Sequence, residues 1–273
     1  MSILPASAPL FSILSALVEE YSGLHYGLSD RDIFIDRVGS RAMEVGFDSL
    51  LDYYYYLRYD PAGSLELERL VDELVVNETF FFRELEPLRV LVSELIEPRV
   101  RQGMRPRIWS AACSTGEEPL TLAMLLAEAG LLSRVDLIAS DISQRALGRA
   151  RAGKFGRRSM REVPDPVLAN RYIREDASGL TVSAELRRSI DWRRINLCDG
   201  PSVAAIGACD VILCRNVLIY FSDETLVRVI GHLAQSLAPD GVIFVGVSES
   251  ILRFGTVLEC EEKNHVFFYR KRV

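Results

Sequence analysis

The stretch RIWSAACSTGEEPLTLAMLLAEAG, residues 107–130, decides the fold. An apolar run of strand length, RIWSAA, stops at a loop of small residues, and Pro119 is suited to the first turn of the helix that follows. The alternation recurs downstream: VDLIASD (135–141) precedes SQRALGRARAG (143–153), CDVILC (209–214) precedes DETLVRVIGHLAQSL (223–237), and GVIFVGVS (241–248) follows that helix. Strands alternating with helices of ten to fifteen residues predict an α/β domain, an open, doubly wound parallel sheet with helices on both faces.

From Gly153 to about Asn196 the alternation breaks. An Arg-rich polar segment with Pro164 and Pro166 leads into NRYIREDASGLTVSAELRRSIDW (170–192), where Ser178-Gly179 separates two β-forming runs. A short helix and a small antiparallel hairpin inserted into the sheet are expected here. KNHVFFYRK (263–271) reads as a last strand.

Upstream, residues 8 to about 58 read as three helices. In the first, Leu10, Ile13, Leu14, Leu17, Val18 and Tyr21 recur at helical spacing. The second runs from Ser29 or Asp30 to about Val45. The third begins at Asp48 and carries four consecutive tyrosines, Tyr53 to Tyr56, which cannot share one face and so divide between core and surface. Asp60-Pro61-Ala62-Gly63 breaks the pattern, and Ser64 can cap a fourth helix through Leu74.

Composition narrows the function. A net charge of -6 argues against general phosphate-backbone binding, so no nucleic-acid partner is expected. Five cysteines without a CxxC pair or histidines at ligand spacing read as reduced thiols in a cytoplasmic protein, and no metal is expected. No apolar stretch is long enough to span a bilayer, and the apolar N-terminus lacks the basic region of a signal peptide.

In an open parallel sheet, ligands bind beyond the carboxyl ends of the strands. After the first strand comes the small-residue loop Ser110 to Gly116, where a ligand can approach the backbone closely. After the second stands Asp141, at the place of an acid that hydrogen-bonds ribose hydroxyls. A dinucleotide or an adenosyl compound would fit. A dinucleotide site wants a fuller GxGxxG, and Glu117 and Glu118 would repel phosphate from the helix end, so a cationic sulfonium cofactor suits the loop better.

With these residues in view, the chain resembles the CheR-type chemotaxis receptor methyltransferases over nearly its whole length. The carrying motifs are VNETFFFRE (76–84), WSAACSTGEEP (109–119), ASDIS (139–143), INL (195–197), CRNVLIYF (214–221) and LAPDGVIFVGVSES (237–250). The resemblance implies an N-terminal all-α domain (1–60), a linker helix with the NETFFFRE segment (61–90), and a Rossmann-like class I methyltransferase domain (91–273) bearing a small antiparallel β-subdomain at about 153–195. It implies S-adenosylmethionine as cofactor, S-adenosylhomocysteine as product, and methyl transfer to glutamate carboxylates on the cytoplasmic helical bundle of chemoreceptors by a monomer that does not insert into the membrane.

By matching motif positions, Asn77, Thr79 and Arg83 are expected to reach the cofactor, Asp141 to hold its ribose with one of Glu117 and Glu118, and Asn196 with Leu197 and Asn216 with Val217 to flank the adenosine. Arg83 and Tyr220 are the catalytic candidates, both for orientation. Ser110, Ala112 and Ser114 replace the Asp and first two Gly of a general DxGxGxG loop, as is typical of this family. The inserted hairpin is shorter than in members that grip a receptor's C-terminal tether, so a tether-independent enzyme is expected. Arg31, Arg37 and Arg41 on the second helix are candidates to meet an acidic receptor face.

Overall fold

The computed structural model describes residue 4 and residues 7–255 and 257–271. It divides into two compact units, one of residues 1–76 with 220–225, the other of residues 77–219 with 226–273.

The first unit is helical. Helix α1 (Ala8–Ser22) is capped by Ser7, whose hydroxyl accepts from the Leu10 amide, and is closed by Gly23 at φ 80°. Its buried side chains, Phe11, Leu14, Leu17 and Val18, fall on one face. Helix α2 is Arg31–Glu44 and α3 is Leu50–Tyr59, with Ser49 accepting from the Asp52 amide. The tyrosines divide as the helical period requires: Tyr53 is buried and Tyr55 exposed. Helix α4 (Gly63–Leu74) starts one residue before the Ser64 expected to cap it. The reason is a close crossing, because a Cβ on Gly63 would lie 2.2 Å from the Tyr56 carbonyl oxygen. Only glycine lets α4 begin there.

This unit buries a charged cluster. Glu66 accepts from the Tyr53 hydroxyl (2.9 Å) and from Arg41 Nε and Nη2 (2.6 and 2.8 Å). Arg37 donates to the carbonyl oxygens of Glu73 and Leu74. Of the three α2 arginines expected to meet an acidic partner, Arg41 is mostly buried and engaged with Glu66 of α4, whereas Arg37, though bonded to the α4 carbonyls, remains exposed.

The second unit opens with a continuous helical run, Leu85–Val90 (α5), a π-helical turn Leu91–Ile96, and Glu97–Arg101 (α6). There follow β1 (Arg107–Ala111), α7 (Glu117–Glu128), β2 (Asp136–Asp141), α8 (Gln144–Ala152), β3 (Lys154–Phe155), α9 (Pro166–Tyr172), β4 (Ile173–Asp176), β5 (Gly179–Val182), α10 (Ala184–Arg188) and β6 (Ile190–Arg194). The last elements are α11 (Gly200–Ala204), β7 (Cys209–Cys214), α12 (Asp223–Gln235), β8 (Leu237–Phe244), β9 (Leu258–Lys263) and β10 (Val266–Lys271).

Seven strands form one sheet in the order β6-β2-β1-β7-β8-β10-β9. The first five are mutually parallel, and β10 runs antiparallel to both β8 and β9. The fold is thus the Rossmann-like class I methyltransferase sheet preceded by an all-α unit. A separate three-stranded antiparallel sheet, β3-β5-β4, is the inserted subdomain; Asp176 pairs with Gly179, so the turn is Ala177-Ser178, one residue before the expected Ser178-Gly179. One element differs from the sequence reading. Ile190–Arg194, read as part of the inserted hairpin, pairs in parallel with β2 as an edge strand of the main sheet. The fully buried Trp109 links the two central strands β1 and β2 by donating from Nε1 to Ser140 Oγ at 2.9 Å.

Candidate functional site

The site is built on loops that leave the carboxyl ends of β1, β2, β6 and β7. After β1 the backbone turns through Ala112 and Ser114, both at positive φ (56° and 52°), to Gly116 at φ 93°. Glycine is required at the last position, since a Cβ there would meet Ala150 Cβ at 2.7 Å and the Trp192 ring at 3.0 Å. The loop is held open by Asp141 at the end of β2, whose Oδ2 accepts from the Ser114 amide (2.7 Å) and Oδ1 from the Ser143 amide (2.9 Å). The Asp141 carboxylate thus stands at the carboxyl end of β2 directly beside the β1 loop. After β6, Asn196 Oδ1 accepts from the Cys198 amide and the Ile195 amide donates to the Asp141 carbonyl, which ties this loop to the previous one. The ring Nδ1 of His232 lies 3.1 Å from the Leu197 carbonyl oxygen.

The VNETFFFRE segment is bound to this loop system rather than trailing from it. Asn77 Oδ1 accepts from Ser114 Oγ at 3.3 Å. Phe81 and Phe82 are buried, their amides donating to the Ser159 carbonyl and to Thr121 Oγ1, and the Phe81 ring packs edge-on against Phe155. Phe82 and Glu84 both hold positive φ, a conformation unfavourable for such side chains that the surrounding bonds must enforce.

The enforcing group is Arg215, which sequence reasoning did not single out although it lies inside a quoted motif. Its side chain is only 1 % exposed, and it pairs with Glu84 (2.8 Å) and Glu118 (2.8 Å) while donating to the Arg83 and Glu84 carbonyls. Glu118 also accepts from Ser110 Oγ at the end of β1. Burial acts to raise the Glu84 pKa, but the adjacent Arg215 charge and its hydrogen bonds prevail and hold the carboxyl below the usual range. A second unforeseen residue is Glu249. Its carboxylate accepts from the Asn216 and Gly246 amides (2.7 Å each) and from the Leu218 amide (2.8 Å), fixing the loop of Asn216 and Val217 against the end of β8. Asn216 itself stands at φ 59°.

The two acids left unresolved by the sequence occupy different surroundings. Glu118 is consumed by Arg215 and Ser110. Glu117, 1 % exposed, accepts from Thr115 Oγ1 at 2.6 Å and lines a cavity of about 200 Å³ together with Asn77 and Thr79. Desolvation pushes its carboxyl pKa up. Arg83 folds back on its own segment, donating to the Glu78 carbonyl at 3.1 Å. Tyr220 is grouped with the first unit, where its carbonyl accepts from the His25 amide and the next residue, Phe221, pairs with Leu24. Among the described residues no cluster of His, Cys, Asp and Glu could hold a metal, and no helix is long and apolar enough to cross a membrane.

Comparison with known proteins decides the family. The "CheR methyltransferase, SAM binding domain" matches residues 77–267, and the "CheR methyltransferase, all-alpha domain" matches residues 9–75. The chain belongs to the CheR methyltransferase family. The boundary between the two matched domains coincides with the division of the structure at Val76 and Asn77. The chain is 37% identical to Chemotaxis protein methyltransferase 2 of Vibrio cholerae over 92% of its own length and 86% of that protein. It is 31% identical to Chemotaxis protein methyltransferase 1 of Pseudomonas aeruginosa over 88% and 90% of the two chains. To Chemotaxis protein methyltransferase of Vibrio parahaemolyticus it is 33% identical over 99% of each. The second unit is therefore the S-adenosylmethionine-dependent methyltransferase domain of a CheR protein.

The residues present fit that cofactor. Acidic side chains, Glu117 and Glu118, occupy the first turn of α7 where a pyrophosphate would need the positive helix end, and the Asp141 carboxylate stands at the end of β2 beside the same loop. A phosphate-free nucleoside with a cationic centre matches this set of donors and acceptors.

Proposed function

We propose that this CheR protein transfers a methyl group from S-adenosylmethionine to glutamate side-chain carboxylates of chemoreceptors, forming glutamyl methyl esters for sensory adaptation. The relatives' names supply the chemotactic setting. The observation that carries the reading is the tie made by Arg215, which fastens the VNETFFFRE segment through Glu84 and the start of α7 through Glu118. That segment is thereby held within the same loop system as Asp141.

The cofactor, when bound, supplies an electrophilic methyl on a sulfonium. Asp141 accepts from ribose hydroxyls, Asn196 with Leu197 and Asn216 with Val217 border the nucleoside, and Asn77, Thr79, Arg83 and Glu117 hold its remaining polar groups. A glutamate has a pKa of about 4.3 and is ionised at neutral pH, so no general base is needed. The chain offers none among its histidines: His232 supports the Leu197 carbonyl, while His25 and His265 are exposed. Rate enhancement then rests on alignment and exclusion of water, worth roughly 7 to 11 kcal/mol at most in well-oriented systems. Arg83 and Tyr220 are the orienting groups.

The test is incubation with methyl-labelled cofactor and receptor-containing membranes, followed by base. Volatile labelled methanol is the expected product, as carboxyl esters hydrolyse. Label that survives base would assign N-methylation or ether formation instead, and cofactor binding without incorporation would leave a non-catalytic scaffold.

A further inference from the structure

Between Asp141 and Glu162 this acidic chain has no acid, yet it carries Arg145, Arg149, Arg151, Lys154, Arg157, Arg158 and Arg161. The fold gathers part of this charge. Helix α8, strand β3 and the 3-10 turn Arg157–Ser159 bring Arg149, Lys154, Arg158 and Arg161 around the cavity that Asn77, Thr79, Thr115 and Glu117 also line. Some of the charge is answered locally, since Arg161 pairs with Glu78 (2.7 Å) and Arg157 with Glu175 (2.8 Å). Arg149 and Arg158 are exposed and have no ion pair among the described residues. Like charges held on one rim repel one another, and Arg149 and Arg158 have no carboxylate in ion-pair contact among the described residues to offset that repulsion.

We infer that the rim formed by Arg149, Lys154 and Arg158 is a docking surface for an acidic polypeptide, receiving carboxylates that flank the glutamate to be methylated. This rests on the proposed function and names how that substrate is recognised. The reacting carboxylate itself cannot be the group so paired, because an arginine bound to it would stabilise the ground state and reduce its nucleophilicity. Neighbouring carboxylates carry no such penalty. They gain charge-assisted hydrogen bonds from guanidinium groups, and the field of the rim raises the encounter rate of an acidic partner with an enzyme that is acidic overall. Nucleic acid fits less well, since the basic stretch is local and the only aromatic ring on the cavity, Phe155, is buried.

The experiment compares the full-length protein with the double variants Arg149→Glu/Arg158→Glu and Arg149→Lys/Arg158→Lys. Base-labile methyl incorporation into receptor-containing membranes is measured against receptor concentration, at about 0.05 M and about 0.3 M salt. Cofactor affinity is measured separately by calorimetry. The charge reversal is expected to raise the receptor KM about tenfold at low salt, to leave kcat and cofactor Kd within about twofold, and to flatten the salt dependence of kcat/KM. The lysine pair should retain most of the wild-type KM. An unchanged receptor KM in the charge-reversed protein overturns the inference, as does a cofactor Kd raised about tenfold, which would assign the rim to the cofactor's own carboxylate. If the wild-type protein forms no base-labile ester at all, the proposed function falls and this surface with it.

Discussion

At the scale of single residues, the structure separates two adjacent glutamates that a one-dimensional reading leaves equivalent. Their order in the chain says only that both lie in the first turn of a helix. Which one is neutralised depends on Arg215, almost a hundred residues away, and on the Ser110 hydroxyl, and neither partner is legible from spacing. Glu118 is held by both, whereas Glu117 is buried with the Thr115 and Ser159 hydroxyls for company and no paired cation among the described residues. Burial raises the Glu117 pKa above its unfolded value, so protonation favours the folded state. The stability this contributes is full below the unfolded value, near 4.3, and is lost as pH rises through the folded one. Glu117→Gln removes that loss. Thermal unfolding without cofactor should show the variant gaining on the wild type as pH rises from about 4 to about 8, with the two equal at the acid end. A difference that stays flat across this range would mean that Glu117 ionises in the folded protein as readily as in the unfolded chain.

At the scale of elements, the strands were legible and the fastenings between loops were not. RIWSAA, VDLIASD, CDVILC and GVIFVGVS are apolar because β1, β2, β7 and β8 are covered on both faces, and such runs announce themselves. IDWRR and LECEEK do not, because β6 and β9 are edge strands with one free side, where polar residues are tolerated and no apolar run survives. Arg215 and Glu249 lay within recognised motifs, but a buried ion pair leaves no periodic trace, and both remained without a role until their partners were in place. Arg215→Met tests the first of these fastenings. Removing one member of a buried ion cluster costs about 3 to 5 kcal/mol, because the carboxylates left behind lose their counter-charge. Glu84 then also loses its support at positive φ. Chemical denaturation at neutral pH should register this loss. The deficit should narrow in acid, because the low folded pKa of Glu84 gives stability that is present above the unfolded value and disappears as pH falls through the folded one. A stability within about 0.5 kcal/mol of wild type would show that the cluster does not hold the segment.

At the scale of the whole molecule, the alternation of strand and helix foretold the doubly wound sheet, and helical spacing foretold the four N-terminal helices, since both depend on short-range periodicity. What no periodicity encodes is that Tyr220 to Thr225 pack with those helices although the flanking chain belongs to the sheet. That placement is set by pairing between Leu24 and Phe221, across nearly two hundred residues. The candidate cofactor residues of the second unit are similarly scattered in sequence, from Asn77 to Val217, and gathered only by strand order. Hydrogen exchange can read this gathering across the whole chain at once. A ligand present at about 100 times its Kd lowers the free energy of the bound form by about 2.7 kcal/mol, so amides whose opening requires its release exchange about a hundredfold more slowly. With S-adenosylmethionine added, slowing should appear together at four separated stretches, 112–117, 141–143, 195–198 and 215–218, because Asp141 and the Ile195 amide connect the backbones of the first three and Arg215, through Glu118, ties the fourth to the start of α7. The hairpin of β9 and β10, at the far edge of the sheet from β2 and β6, should keep its rates. Protection confined to β9 and β10, or spread evenly over every amide, would place the nucleoside away from the loops of β1, β2, β6 and β7, and the assignment of Asp141 to its ribose would have to be abandoned.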